Sequence, residues 1–134
     1  MVKVVAGVIY NDKGEVLITK RKSDVLRPNL WEYPGGKVDE GEPLEKALHR
    51  ELKEELDIEV TTPVLLGCER FDLEVEFIIY LYAVQMKEGE VPKRIEVVDM
   101  KWVPIMDAVK YYPMMPSCYV LHPRVRQFLN RAIV

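Results

Sequence analysis

The sequence predicts an α/β (α+β) fold in which helices pack on the faces of a mixed β-sheet. Three observations carry that expectation. The stretch Val2 to Tyr10 is rich in β-branched residues and stops at Asn11-Asp12-Lys13-Gly14, a turn signal. Leu44, Leu48, Leu52 and Leu56 recur every four residues, the stripe of a helix buried on one side. Phe77 to Val84 is continuously apolar, as a central strand would be. With 134 residues and no interdomain linker, repeat or low-complexity tract, the chain is expected to form a single domain over 1–134.

Along the chain, Glu15 to Lys22 reads as the second arm of a hairpin begun by Val2 to Tyr10, and Ser23 to Asn29 as a polar loop containing Pro28. Leu30 to Tyr33 is a short extended piece stopped by Pro34-Gly35-Gly36. Pro43 suits the first turn of a helix, where its missing N–H costs nothing, and that helix should run to about Leu56. Glu59 to Phe71 is strand-rich but broken by Pro63 and Gly67. Leu73 to Met86 alternates before turning apolar, and Lys87 to Arg94 is a charged loop with Gly89 and Pro92. Val97 to Pro104 is a last strand carrying Trp102, Met106 to Tyr112 a short helix, and Pro113 to Pro116 a break. Pro123 to Ala132 reads as a closing helix with Val125, Phe128, Leu129 and Ala132 inward.

Bulk properties narrow the function classes. A net charge of −3 gives no general attraction to nucleic acid polymers or anionic membranes, so phosphate-bearing ligands would have to be bound locally. No apolar run approaches the roughly 20 residues of a membrane span, and the N-terminus lacks the layout of a signal peptide. The two cysteines, Cys68 and Cys118, are isolated and have no metal-type pairing, so a reduced cytoplasmic setting is expected. His49 reads as a helix-surface residue and His122 as a lead-in to the last helix. Neither has a triad partner that would support nucleophilic catalysis.

The chemistry is concentrated between Gly36 and Ile58. Glu51, Glu54 and Glu55 stand at i, i+3 and i+4, neighbouring positions on a helix surface. Glu51 and Glu55 fall near the edge of the leucine stripe and Glu54 farther round. Three like charges so placed repel one another. A hard divalent cation reverses that cost, because Mg²⁺ takes oxygen ligands and leaves positions for water and phosphate. The blander alternative is a solvated acidic helix face with Lys46 and Lys53 as partners.

The same segment resembles the Nudix box, Gly-x5-Glu-x7-Arg-Glu-U-x-Glu-Glu-x-Gly-U with U a bulky aliphatic. Gly36, Glu42, Arg50-Glu51-Leu52, Glu54-Glu55 and Ile58 fill its fixed positions, and only the late glycine departs, being Asp57 here. The flanks Val5 to Tyr10, Leu17 to Arg21 and Trp31 to Gly36 resemble the MutT-type branch, while the likeness is looser after Ile58.

The resemblance implies an α/β/α sandwich and a Mg²⁺-dependent pyrophosphohydrolase, with Mn²⁺ as a possible substitute. The expected reaction cleaves a nucleoside 5′-triphosphate to the monophosphate and pyrophosphate. By resemblance Glu51, Glu54, Glu55 and the Gly35 carbonyl hold metal, and Glu51 orients or deprotonates the attacking water. Glu96, six residues before Trp102, is the further acidic ligand that the branch implies, with Asp99 as competitor. Glu42 and Arg50 brace the loop to the helix, Arg50 fixing the Glu51 carboxylate. Gly41 is read as a residue that shapes the loop.

Arg21, fourteen residues before Gly35, matches a substrate-contacting arginine, and Tyr33 an aromatic beside the nucleotide pocket. Taken alone they are a surface cation and a half-buried ring. Lys20, Lys22 and Lys37 are candidates to add positive potential for phosphates. The branch reads its purine with an asparagine after a short late helix, but Tyr112-Pro113-Met114-Met115-Pro116-Ser117 contains none, so guanine specificity is not implied. Met and Tyr are placed to stack there, and Ser117 to hydrogen-bond a base.

Asp57 is expected to tolerate the left-handed conformation of the missing glycine at a cost of about 1 kcal/mol or less. A second enzymatic reading exchanges the substrate for ADP-ribose, a nucleoside diphosphate sugar or a dinucleoside polyphosphate. A reading of another class is a non-catalytic nucleotide sensor, although such domains usually lose box carboxylates that this chain retains. The expected partner is a small nucleotide, with no nucleic acid polymer and no membrane, in a monomer or homodimer.

Overall fold

A computed structural model describes residues 1–22 and 27–132. The strands are β1 (Val2–Ile9), β2 (Glu15–Lys20), β3 (Trp31–Glu32), β4 (Gly35–Lys37), β5 (Val64–Asp72), β6 (Glu76–Val84) and β7 (Asp99–Pro104). The helices are α1 (Leu44–Leu56), between β4 and β5, and α2 (Ile105–Tyr111) and α3 (Pro116–Ala132), which close the chain. β4, β1, β6 and β5 form a four-stranded sheet in that order, with β1 and β6 parallel and the other pairs antiparallel. A second, antiparallel sheet runs β3, β2, β7.

Beyond the exposed Lys3, β1 is apolar because it is covered on both faces, and its side chains alternate between two cores. Ala6 and Val8 join Ile18, Leu81, Leu121, Val125 and Leu129 in one cluster, which the two C-terminal helices cover. Val5 and Ile9 join Leu17, Tyr82 and the α1 residues Ala47, Leu48, Leu52 and Leu56 in the other. The result is the α/β/α layering expected. The predicted leucine stripe is the buried face of α1, with Leu44 only partly covered at its start.

Several local expectations are corrected. Val2–Ile9 and Glu15–Lys20 are not a hairpin ladder: after one bridge, Tyr10 to Val16, they diverge into different sheets. The turn itself is as read, with Asn11 Oδ1 accepting the Lys13 and Glu15 amides and Gly14 at φ 79°. The strand expected from Glu59 begins only at Val64, and its register shifts between Leu65 and Gly67.

Pro43 is the residue that caps α1, not a member of its first turn. The closing helix begins seven residues before the expected Pro123, at Pro116, so Pro123 and His122 lie inside it. Cys118, Leu121, Val125 and Leu129 are buried at helical spacing, and their packing outweighs the one backbone bond that Pro123 cannot make. Ala132 is exposed, not inward. Of the expected loop Ser23 to Asn29, positions 23–26 lie outside the described residues.

Candidate active site

The site forms where β4 crosses the exposed margin of α1. The antiparallel pairing of β4 with β1 places Gly35 opposite Ala6 and Gly36 opposite Val5. Both glycines permit approaches that a side chain would block. A Cβ at Gly35 would fall 1.9 Å from the Val5 carbonyl oxygen, and one at Gly36 would fall 2.5 Å from the Glu51 carboxyl. The glycine pair thus lets a short strand lie against β1 on one side and receive a carboxylate on the other.

Arg50 organises the loop around this carboxylate. Its Nε and Nη2 donate to Glu42 at 2.9 and 3.0 Å, and Nη2 also donates to the Lys37 carbonyl at 3.0 Å. Nη1 reaches Glu51 Oε1 at 3.0 Å and Glu54 Oε2 at 3.3 Å. Glu42 in turn accepts the Asp39 amide at 3.1 Å. These contacts tie the 37–42 loop to α1. The Glu42 carboxyl is held below the usual carboxylate range by these hydrogen bonds, with Arg50 first. The alternative pairing of the acidic triad with Lys46 and Lys53 does not describe the structure: Lys53 pairs with Asp57 and Glu59 instead.

The three carboxylates Glu51, Glu54 and Glu55 have different environments. Glu54 is half exposed, whereas the Glu51 side chain is 14% exposed. Burial raises the Glu51 carboxyl above its ordinary range, against the lowering pull of Arg50. Glu55 is the extreme case. Its Oε2 is buried without a hydrogen-bond partner. Burial, followed by the Glu51 and Glu32 charges, pushes its carboxyl up to about 9. An orphaned carboxylate oxygen beside other acids is the donor chemistry that a hard cation satisfies. As they stand, no three or more acidic, histidine or cysteine side chains among the described residues are drawn together into a metal-holding group. The carboxylates share one rim but have not converged.

Beside this rim opens a cavity of about 430 Å³. Gly35, Glu55 and Glu96 are among its lining residues, and Lys20, Arg21, Lys22 and Lys37 supply cations. Ala6, Ile79, Leu81, Met115 and Leu121 add an apolar lining, together with Tyr33, Ser117 and Cys118. Of the residues expected to hold metal or substrate, Arg21, Tyr33, Gly35, Glu55, Glu96 and Ser117 line this cavity, while Glu51 and Glu54 lie outside its lining, paired with Arg50. Between the two acidic competitors, Glu96 lines the cavity, while Asp99 sits in β7 with its Oδ1 accepting the Met100 amide at 2.8 Å. Tyr33 is more enclosed than a half-buried ring, at 4% exposure, and its buried hydroxyl has no partner. Ser117 is 7% exposed at the start of α3.

The sequence reading missed Glu32. It lies in β3 between two aromatic residues, is paired with Arg21 at 3.1 Å, and lines the cavity. Burial raises its carboxyl despite Arg21. A charge flanked by Trp31 and Tyr33 in an otherwise buried strand was the available signal. Cys118 was also missed as a cavity residue. Burial pushes its thiol up to about 12.

Two sheets flanked by helices, with carboxylates along the margin of α1 and a cavity lined by Glu55, define the class of fold. Comparison with known proteins then fixes the family. Residues 2–124 match the NUDIX domain, and the chain belongs to that family. Its likeness is to the MutT-type members. It is 40% identical over 86 residues to the 8-oxo-dGTP diphosphatase of Haemophilus influenzae, covering 60% of this chain and 62% of that one. It is 39% identical over 83 residues to the CTP pyrophosphohydrolase of Escherichia coli, covering 62% and 60%. The aligned segments thus span about three-fifths of these curated relatives. The fold matches a MutT NUDIX hydrolase from Burkholderia pseudomallei with a TM-score of 0.82 at 26% identity, over 92% of this chain and 97% of that chain. Among the described residues, no helix is long and apolar enough to cross a membrane.

Proposed function

We propose that this protein, acting as one domain, is a pyrophosphohydrolase that cleaves a nucleoside 5′-triphosphate to the monophosphate and pyrophosphate with Mg²⁺ or Mn²⁺. The observation that carries this reading is Glu55, which lines a cavity together with Gly35 and Glu96 and has a buried carboxyl oxygen without a hydrogen-bond partner. Family membership and two named relatives that act on nucleoside triphosphates support it.

Glu51, Glu54, Glu55, Glu96 and the Gly35 carbonyl are the proposed holders of the divalent ion. When bound, such an ion supplies charge to the phosphate oxygens and acidifies the attacking water. Glu51 lies against Gly36 with one oxygen fixed by Arg50, an arrangement suited to orienting that water or taking its proton. Lys20, Lys22 and Lys37 add positive potential at the phosphate end, and Arg21 is the proposed substrate contact there. The base occupies the apolar end, where Tyr33 and Ser117 offer hydroxyls. The two isolated cysteines, both free thiols, support a reducing cytoplasmic setting.

The test is a screen of purified protein against normal and oxidised nucleoside triphosphates, including CTP and 8-oxo-dGTP. Monophosphate and pyrophosphate would be scored with Mg²⁺ and with chelator. Metal-dependent release of both products from at least one triphosphate is expected. Release from none of them would overturn the reading.

A further inference from the structure

The late glycine of the family motif is Asp57 in this chain, and it does more than tolerate its position. Asp57 caps α1 in the left-handed region, at φ 53° and ψ 47°, with its amide donating to the Lys53 carbonyl. Its two carboxylate oxygens point to different cations. Oδ1 lies 3.0 Å from Lys53 Nζ on the preceding helix turn, and Oδ2 lies 3.0 Å from Lys93 Nζ in the long loop before β7. A glycine would cap the helix equally well but could bind neither lysine.

Lys93 opens the segment that docks on the end of α1. Its amide donates to the Leu56 carbonyl at 2.9 Å, and the Ile95 and Glu96 amides donate to the Glu55 carbonyl at 3.1 and 3.2 Å. These bonds satisfy carbonyls that a helix end leaves without partners. They also deliver Glu96 to the cavity beside Glu55, close enough for its charge to be felt by Glu51 and Glu55. Bringing a further carboxylate to an acidic site is unfavourable, so the segment needs an attachment that opposes the repulsion.

We propose that Asp57 is a positioning residue that bridges Lys53 and Lys93 and thereby holds the Glu96 segment against the carboxylate rim. The inference rests on the proposed role of Glu96 as an ion ligand, and it concerns how that ligand is kept in place. Both bridges are partly exposed, so their effect is modest and sensitive to salt.

The test uses Asp57→Gly, which retains the left-handed cap, with Lys93→Met and Lys93→Arg as companions. In metal-free protein, amide exchange at Ile95 and Glu96 should be about two- to fivefold faster in Asp57→Gly and Lys93→Met than in wild type. Binding of Mn²⁺ alone, followed by calorimetry, should weaken by a similar factor. Lys93→Arg should remain at the wild-type value. In about 1 M salt, where screening acts within roughly 3 Å, wild type should approach the variants. Wild-type exchange and Mn²⁺ affinity in Asp57→Gly would overturn the clamp while leaving the metal site standing. Failure of the wild-type protein to take up Mn²⁺ would overturn the metal reading of the site, and the clamp's functional role with it.

Discussion

Replacing Gly36 by alanine tests whether the placement of Glu51 controls turnover. The new methyl carbon would sit 2.5 Å from the Glu51 carboxyl carbon and Oε2, and 2.7 Å from Oε1, whereas ordinary contact begins at 3.4 Å. The difference, 3.4 − 2.5, requires a displacement of about 1 Å. The three nearest atoms all belong to the end of one flexible side chain, so Glu51 should move and the strand should not. Tilting that side chain off its preferred rotamer costs about 0.5–1.5 kcal/mol. A misplacement of about 1 Å in a reacting group costs on the order of 10²-fold in rate. Gly36→Ala should therefore melt within a few degrees of wild type and lose roughly 10²-fold in kcat/KM toward the best triphosphate of the screen. Gly35→Ala is the contrast: its methyl would lie 1.9 Å from the Val5 carbonyl oxygen and 2.7 Å from the Ala6 Cα, both backbone. It should damage the β1–β4 pairing and the melting temperature together. Undiminished kcat/KM in a folded Gly36→Ala protein would refute the argument, because Glu51 would then be shown to work from another position.

Glu55→Gln should lower turnover by orders of magnitude and change the pH dependence of metal-free stability. The folded Glu55 carboxyl stands near 9 against an ordinary 4.5, so its contribution is complete below about 4.5 and is lost as pH rises through about 9. Melting in chelator should show wild type losing ground to Glu55→Gln between pH 5 and 9, and a constant gap would contradict the burial argument. Thiol alkylation under native conditions should modify the exposed Cys68 and spare the buried Cys118, whose thiol is held near 12; mass spectrometry showing equal labelling would refute the enclosure of the cavity floor. An ion that binds only the folded protein stabilises it, by about 2.7 kcal/mol at a hundred times its dissociation constant. The melting temperature should therefore rise with MgCl₂, and a flat titration would count against the carboxylate rim as an ion site.

The layered fold was legible because its strongest signals are local. A four-residue leucine spacing has one interpretation on a helix, and an unbroken apolar strand must be covered twice. Sheet membership was not legible: Asn11 to Gly14 is a good turn, yet nothing within ten residues says that the strands on either side part company after Tyr10 and Val16. Pro123 misled for a related reason, since a proline penalty is local while the burial of Leu121, Val125 and Leu129 is tertiary. At the site, the box residues were readable because fixed spacing on one helix sets their neighbours. Glu32 was not, because its importance comes from Arg21 and Glu55, which are distant in sequence and reach it only in the fold.

The end of α1 shows why the departures from pattern matter physically. Its last turns carry Glu51, Glu54 and Glu55 where the helix dipole is already negative, and the Glu96 segment adds another carboxylate. Left alone, such a cluster would be expected to fray the helix. The leucine stripe anchors one side of it in the core, and cations meet the other: Arg50 at Glu51 and Glu54, and Lys53 and Lys93 through Asp57. No ion pair joins any of these cations to Glu55, the most buried carboxyl of the helix triad, whose Oε2 has no hydrogen-bond partner. The protein thus pairs the charges that hold its architecture together and leaves one oxygen of the cavity-lining Glu55 carboxyl without a partner. That unevenness is the physical basis for assigning a divalent ion to this rim.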